Sequence, residues 1–276
     1  MEPGLYIVAT PIGNLADISQ RALEVLQAAD VIACEDTRHS RHLLQHHGIE
    51  GRCIAYHEHS GEGATQRLLQ QLQDGELVAL VSDAGTPLIS DPGYRLVRQA
   101  QDAGHRVVPV PGACAAVAAL SASGLATDRF SFEGFLPAKA GARQARLAEL
   151  GEVSRTLVFY EAPHRVAETL ADMVQAFGAG REAVLARELS KAFETIQRAP
   201  LEELAAFVAA DSNQQRGEIV LLVAPAPPRE QALEPQVAAL LKRLAEELPG
   251  KRAAAVVADI YGLRKKMLYD YLLQNK

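Results

Sequence analysis

Tryptophan is absent from the 276 residues, and cysteine occurs only at Cys34, Cys53 and Cys114. An odd count with no C-x-x-C pair, spread over apolar surroundings, predicts reduced, buried thiols in a reducing compartment. No apolar run approaches the roughly 18 residues that a bilayer span requires. The opening MEPGLYIVAT has no basic stretch before its apolar run, unlike a secretory signal. G-x-G-x-x-G and the G-K-[ST] of a phosphate loop are also missing, so neither an NAD nor an ATP site is predicted. Nor is there a G-x-S-x-G, and no Ser-His-Asp or Cys-His arrangement can be assembled from spacing, which disfavours a hydrolase. With 48% hydrophobic and 22% charged residues the chain is ordinary globular material rather than disordered. These features predict a soluble cytoplasmic protein with two α/β domains and a small appendage.

Positive charge is in deficit overall. The formal net charge of -6 gives no support to nucleic-acid binding. Its distribution differs, because Lys251, Arg252, Arg264, Lys265, Lys266 and Lys276 are opposed only by Asp259 and Asp270 in the last stretch of chain. Such a patch either contacts phosphates or is a solvated helical face.

The first 120 residues alternate apolar runs with amphipathic stretches. Strands are predicted at 5–10, 31–35, 53–57, 77–83 and 106–112, and helices at 18–28, 39–47, 64–72, 94–103 and 113–121. Continuous apolar strands separated by helices indicate a mostly parallel sheet covered on both faces. Residues 121–226 read as a second α/β domain with strands near 129–135, 156–162, 183–189, 193–198 and 217–225. Here adjacent strands without intervening helices imply a mixed sheet. The segment PAPPRE (225–230) is a stiff linker, and residues 230–276 form a helical extension with helices at 235–248, 252–261 and 263–273.

Three glycine-bearing turns follow predicted strands. ATPIGNL (9–15) leaves the first strand at a sheet edge, where ligands of open α/β sheets bind, and is equally an ordinary βα turn. VSDAGTPLISDPG (81–93) packs two glycines, two prolines, two aspartates and two serines into thirteen residues, and shapes either a ligand surface or an elaborate turn. In it Asp83 can accept from ligand hydroxyl or amino groups, while Asp91 with Pro92 is equally a helix start. PVPGACAA (109–116) brings small side chains to a helix N-terminus, for a ligand or for close packing. None of the turns is basic, so they describe a cleft for a neutral or zwitterionic cofactor rather than a polyphosphate. CEDTRHSRHL (34–43) is the acceptor-side candidate, with Arg38 and Arg41 as phosphate ligands or as parts of a capped surface helix. Six of eight histidines cluster at His39, His42, His46, His47, His57 and His59, but their spacing matches no zinc motif and no metal is predicted.

These segments, followed by FEGFLP, FYEAPHR, RELSKAFET and RGEIVLLV, occur in the order and spacing of the bacterial ribosomal RNA cytidine-2′-O-methyltransferases, and the chain resembles that branch of the tetrapyrrole methylase superfamily. The resemblance runs over about residues 4–225, and 253–273 also resembles the C-terminal extension of that branch. It implies an S-adenosylmethionine-dependent enzyme acting on a cytidine ribose in the decoding region of 16S ribosomal RNA, in the 30S subunit or an assembly intermediate, and a homodimer. The donor pocket implied on this chain comprises Pro11, Gly13, Ser82, Asp83, Ala84, Gly85, Ile89, Ser90, Ala113, Phe159, Tyr160 and Gly217, although by its own strand Phe159 reads as core. The superfamily's tetrapyrrole enzymes carry G-D-P in the central loop; S-D-A-G-T-P here favours the RNA branch.

A ribose hydroxyl is a poor nucleophile until deprotonated, so a base or an electrostatic aid is expected. Glu35, Asp36 and Glu133 are the candidate bases. Lys191 and Arg38 are candidates to lower the hydroxyl pKa or hold the adjoining phosphate, and Asp36 and Lys191 are preferred as catalytic. Arg38, Arg41, Lys139, Arg143, Arg165, Arg187, Arg264, Lys265 and Lys266 are the candidate RNA contacts. A methyltransferase acting on a small heterocycle, a non-enzymatic RNA-binding module and a nucleotide-using enzyme are the competing readings.

Overall fold

The computed structural model describes residues 1–57, 60–227 and 233–275. His59, Lys276, the last residues of the proline-rich linker and position 230, where the helical extension is expected to begin, lie outside the described residues. The chain divides into two compact units, Met1–Ala226 and Pro227–Lys276.

The first unit contains two five-stranded sheets. Strands β1 (Gly4–Val8), β2 (Val31–Cys34), β3 (Cys53–Ala55), β4 (Leu77–Val81) and β5 (Val107–Val110) lie in the order β3-β2-β4-β1-β5, all neighbours parallel. Helices α1 (Gln20–Ala28) and α2 (Thr37–His46) cover one face through Ala22, Val25, Leu26 and Leu44. The other face carries α3 (Glu62–Gln73) and α4 (Tyr94–Asp102) through Leu68, Leu72, Leu96 and Ala100. Every residue of β2 and β4 is buried, which is why both read as unbroken apolar runs. The chain leaves β1 and β4 in opposite directions across the sheet, so the turns after them open at a topological switch point.

The second sheet is mixed, as its sequence implies. Strands β6 (Phe130–Phe135), β7 (Thr156–Glu161), β8 (Glu182–Arg187), β9 (Thr195–Pro200) and β10 (Ile219–Val223) lie in the order β6-β7-β10-β8-β9. Only β6 and β7 are parallel neighbours. Side chains alternate with period two. Leu157, Phe159, Leu185 and Leu221 pack beneath α6 (Ala140–Leu150), α7 (Val166–Phe177) and α8 (Leu201–Ala210). Val158, Val184, Ala186 and Val220 face the opposite way, onto α5 (Ala115–Ser123) and onto Ile12 from the turn after β1. That second face joins the two halves of the unit.

Some boundaries differ from expectation for local reasons. Helix α2 begins two residues early because the Asp36 carboxylate caps it, accepting from the Arg38 N–H at 2.8 Å. Helix α5 runs later, starting after Cys114 and ending at Gly124 in the left-handed region. Strand β9 starts at Thr195, which leaves Phe193 on a loop. Of the thiols, Cys34 is buried and Cys53 and Cys114 are partly so; burial pushes the Cys34 thiol up to about 12.

In the second unit, α9 (Pro235–Glu247), α10 (Gly250–Tyr261) and α11 (Lys265–Gln274) enclose Val237, Leu241, Ala253, Ala254, Val257, Leu268 and Leu272. Proline opens α9 and left-handed Gly262 closes α10. Among the described residues no helix is long and apolar enough to cross a membrane.

One expected RNA contact belongs to the fold instead. The Arg143 side chain is 3% exposed; its Nε donates to Asp172 at 2.6 Å and its Nη2 to Glu168 at 3.3 Å, closing the α6–α7 seam. A guanidinium so enclosed cannot reach a phosphate. Arg143→Ala leaves buried Asp172 with only the Gln144 amide. In chemical denaturation it is expected to lose about 3 kcal/mol of stability, with RNA affinity of the folded protein unchanged.

Candidate active site

The turn after β1 and the loop after β4 are stitched together by backbone. The Thr10 N–H donates to the Gly85 carbonyl at 2.9 Å, and the Gly85 N–H returns to the Thr10 carbonyl at 3.1 Å. Gly85 sits at φ +82°, a conformation that side chains rarely adopt, which explains glycine at the centre of this loop. The third turn is tied in by Thr86, whose hydroxyl donates to the Ala113 carbonyl at 2.9 Å. Leu88 and Ser90 are also left-handed, at φ +74° and +64°. Strain of this kind is retained where a loop must hold a ligand surface.

Two cavities meet around this junction and share Ile12, Ala84 and Glu218. The first, of about 390 Å³, is walled by Ala84, Gly85, Ile89, Ser90, Tyr160 and Gly217 from the expected donor set. Thr86, Asp91, Ala115 and Leu189 also line it, with no Lys, Arg or His among its lining residues. Its charged lining residues are Asp91, Glu161 and Glu218, of which the Glu161 carboxylate is turned away from the cavity, fully buried against Thr169 and Arg165. The second cavity, of about 600 Å³, takes Pro11, Gly13, Ser82, Asp83 and Lys191, together with His39 and His42 from α2. An apolar wall with carboxylates and no base suits a cationic, largely apolar organic group. S-adenosylmethionine, with a sulfonium and an ammonium against one carboxylate, fits that donor set.

Lys191 sits in a carboxylate clamp. Its Nζ lies 2.8 Å from Glu188 and 3.2 Å from Glu218. Burial alone would lower its pKa, but hydrogen bonds and attraction from these two carboxylates outweigh that and raise it, so the ammonium stays charged. Glu188 also accepts from the Glu218 N–H at 3.0 Å. Gly217, at φ +79°, makes room for this, since a Cβ there would lie 2.2 Å from a Glu188 carboxylate oxygen. Asp36 is committed to α2 and to Arg38, at 2.8 Å. That hydrogen bond holds its carboxyl well below the ordinary range, which makes it a weak proton acceptor.

A second acidic group lies at the ends of β2 and β4. The Asp83 carboxylate accepts from the Asp36 N–H at 3.0 Å, and the Asp83 N–H donates to Glu35 at 3.4 Å. Beside them burial, with repulsion from Glu35 and Asp83, pushes the Asp91 carboxyl up to about 6 against a lowering hydrogen bond with Ser82. Burial also raises the Tyr160 phenol, whose oxygen accepts from the Ala116 N–H at 3.2 Å.

Several expected site residues have other duties. Phe159 is completely buried on the α6–α8 side of β7, because it is out of phase with Tyr160, which faces the cleft. Glu133, with a side chain 9% exposed, accepts from Arg146 at 2.7 Å and lines neither cavity. Arg165 donates to the Leu136 carbonyl at 2.7 Å and to Glu161. Arg187 is buried, bonding to Gln214 and to the Phe193 carbonyl. These two arginines hold strand ends rather than phosphate. Ala113 contributes its carbonyl to Thr86 and lines neither cavity. Glu35 and Asp36 line neither cavity and meet the second only through their hydrogen bonds with Asp83, while Arg38, Arg41 and Lys139 remain exposed. Asp91, Thr86 and Ile12 lie within the marked turns but are not singled out by the sequence as site residues, Asp91 because aspartate before proline reads equally as a helix start.

Asp91 yields a pH signature. A carboxyl raised on folding binds its proton more tightly in the native state, so its contribution is complete below its ordinary pKa of 3.8 and is lost as pH rises through about 6. Asp91→Asn is therefore expected to gain stability over wild type at pH 7 to 8 and to lose that advantage near pH 4. Denaturation midpoints measured across this range check it, and a gap independent of pH would disprove it.

Residues 4–205 match the family model of tetrapyrrole (corrin/porphyrin) methylases, and residues 231–276 match the RsmI C-terminal HTH domain. Ribosomal RNA small subunit methyltransferase I of Pseudomonas aeruginosa is 60% identical over 99% of this chain and 97% of its own length. The protein of that name from Vibrio cholerae is 55% identical over 99% and 95%. Solved structures share the fold at low identity. The cobalt precorrin-4 methyltransferase of cobalamin biosynthesis has a TM-score of 0.58 at 18% identity, covering 80% of this chain and 94% of that one. The Thermus thermophilus uroporphyrin-III C-methyltransferase complexed with S-adenyl homocysteine has 0.56 at 20%, covering 80% and 97%. Two sheets of matching architecture, a cleft at their junction and near full-length identity above half lead to one assignment: the chain belongs to the tetrapyrrole methylases, in the ribosomal RNA small subunit methyltransferase I family.

Proposed function

We propose that the chain transfers the methyl group of S-adenosylmethionine to the ribose 2′-hydroxyl of a specific cytidine in the decoding region of 16S ribosomal RNA. The observation that carries this reading is the pairing of an apolar cavity whose only charges are carboxylates with an adjoining cavity bearing Lys191, His39 and His42. The first suits the donor and the second a ribose flanked by phosphates, although Pro11, Gly13, Ser82 and Asp83 of the expected donor set line the second, so the donor reaches its border. When bound, the sulfonium supplies an activated methyl group. The protein's part is to align the acceptor and exclude water. Tyr160, Ile89 and Leu189 line the donor side with largely apolar surface. Lys191, kept charged by Glu188 and Glu218, stabilises negative charge developing on the hydroxyl oxygen or holds the neighbouring phosphate. Asp36 acts as a positioning residue, because it fixes Arg38 and the start of α2 beside the acceptor cavity. Arg38, Arg41 and Lys139 supply outer phosphate contacts.

The three-helix unit extends the RNA contact. Arg264, Lys265 and Lys266 are exposed at the N-terminal end of α11. Cations there oppose the helix dipole, so they do not serve helix stability, and phosphate is the natural counterpart. A cytoplasmic homodimer acting on the 30S subunit or an assembly intermediate completes the reading, on the family resemblance.

Labelled methyl donor incubated with 30S particles lacking their modifications, followed by nucleoside digestion, should yield 2′-O-methylcytidine; transfer to a free heterocycle alone would overturn the assignment. Lys191→Ala is expected to slow turnover about 10²-fold or more and Asp36→Ala to slow it less, both with donor affinity nearly unchanged. Wild-type rates in both would remove the acceptor-side roles. Alanine at Arg264, Lys265 and Lys266 together should weaken RNA binding and flatten its dependence on salt by up to about three released counterions. An unchanged slope would make the patch a solvated surface.

A further inference from the structure

The loop joining β8 to β9 carries Phe193, which at 75% exposure is the most exposed large apolar side chain among the described residues. A ring left in water contributes nothing to the core, and a compliant loop would fold it away. This loop is not compliant. The Lys191 N–H donates to the Glu188 carbonyl at 3.0 Å, the Glu194 N–H to the Lys191 carbonyl at 3.2 Å, and the Ser190 N–H to the Glu194 carboxylate at 2.7 Å. From beneath, the buried Arg187 guanidinium donates to the Phe193 carbonyl at 3.0 Å. The Ser190 hydroxyl bonds to Asp17, just beyond the turn after β1. Glu188 and Ser190 are held left-handed at φ +52° and +66°, a conformation that costs energy in residues other than glycine and persists only where the surroundings impose it.

The same loop belongs to both cavities. Leu189 lines the apolar one and Lys191 the polar one. It is seated so closely on the first turn that a Cβ on Gly13 would lie 2.6 Å from the Leu189 carbonyl oxygen and 2.5 Å from Lys191 Cγ. Phe193 follows Lys191 by two residues, so a rigid, solvent-facing aromatic stands beside the cation assigned to the acceptor ribose and phosphate.

We infer that Phe193 is a stacking platform for an unpaired nucleobase of the RNA strand, flanking the nucleotide whose ribose enters the Lys191 cavity. The inference rests on the function proposed above and specifies how that site recognises its substrate. RNA is read mainly where bases are splayed from the helix and stacked on aromatic rings. Stacking adds affinity without demanding one base, because each base offers a π-face. In sequence Phe193 is flanked by Lys191 and Glu194, with the exposed Ile196 three residues on; a protein partner is the outcome that the sedimentation measurement detects.

Tests use the full chain as wild type, Phe193→Ala and Phe193→Trp. With unmodified 30S particles at saturating donor, Phe193→Ala should raise KM about 5- to 150-fold, with donor affinity unchanged and the same sedimentation coefficient. Phe193→Trp should restore KM. It also introduces the chain's single tryptophan, whose emission should be quenched by a single-stranded RNA spanning the target. Unchanged KM in Phe193→Ala, or no quenching of the tryptophan, overturns the stacking role, and a shift in sedimentation makes Phe193 a subunit contact instead. Absence of transfer by the wild type defeats the proposed function, whereas wild-type transfer with an indifferent Phe193→Ala defeats only this inference.

Discussion

A pair of backbone hydrogen bonds between Thr10 and Gly85 organises the catalytic unit. The turn after β1 and the loop after β4 diverge at the switch point of the parallel sheet, and without a link they would be independent surface loops. Joined, they place Ile12 against the second sheet and Ala84 at the border of both cavities. Buried Thr10 reinforces the junction through its hydroxyl, which lies 3.3 Å from the Ser82 carbonyl. The bond needs a left-handed residue at position 85, so one glycine carries a consequence for the whole cleft. Elsewhere strain is borne by Leu88, Ser90, Glu188 and Ser190, all on the two loops that frame the cavities.

Basic groups lie on one side of that junction only. The donor-side lining holds carboxylates and no base, and the acceptor side holds Lys191 with two histidines beside Asp83 and Glu218. Glu218 touches both cavities and Lys191, while Glu188 holds Lys191 from within the loop. A cation in this setting cannot easily lose its proton, which suits electrostatic stabilisation rather than proton transfer. The protein as a whole is acidic, so attraction for RNA depends on local clusters rather than on net charge.

Much of the architecture was legible because burial imposes simple patterns. Two-faced burial makes β2 and β4 continuous apolar runs, and Gly262 and Pro235 mark helix ends in the three-helix unit. The glycine-bearing turns were recognisable as a cleft since each follows an apolar strand. What misled was side-chain direction. Phe159 and Tyr160 are adjacent in a strand, so one must face the core while the other faces the cleft, and only the pairing with β10 and the layer of α6–α8 decides which. Arginines misled in the same way: Arg143, Arg165 and Arg187 look like phosphate ligands in a list of charges, yet Asp172, the Leu136 carbonyl and Gln214 on other elements claim them.

By itself the sequence determined the two α/β layers, the helical extension, the three turns and the family, since these depend on local periodicity, on turn chemistry and on the order of motifs along the chain. Tertiary structure decided which carboxylates and cations face the cleft, that Asp36 is spent on a helix cap while half-buried Asp91 lines the apolar cavity, and that Phe193 stands on a braced loop instead of in a strand. These follow from contacts between segments remote in sequence, such as Thr10 with Gly85 and Asp17 with Ser190, and no spacing rule encodes which distant partner a polar side chain will meet.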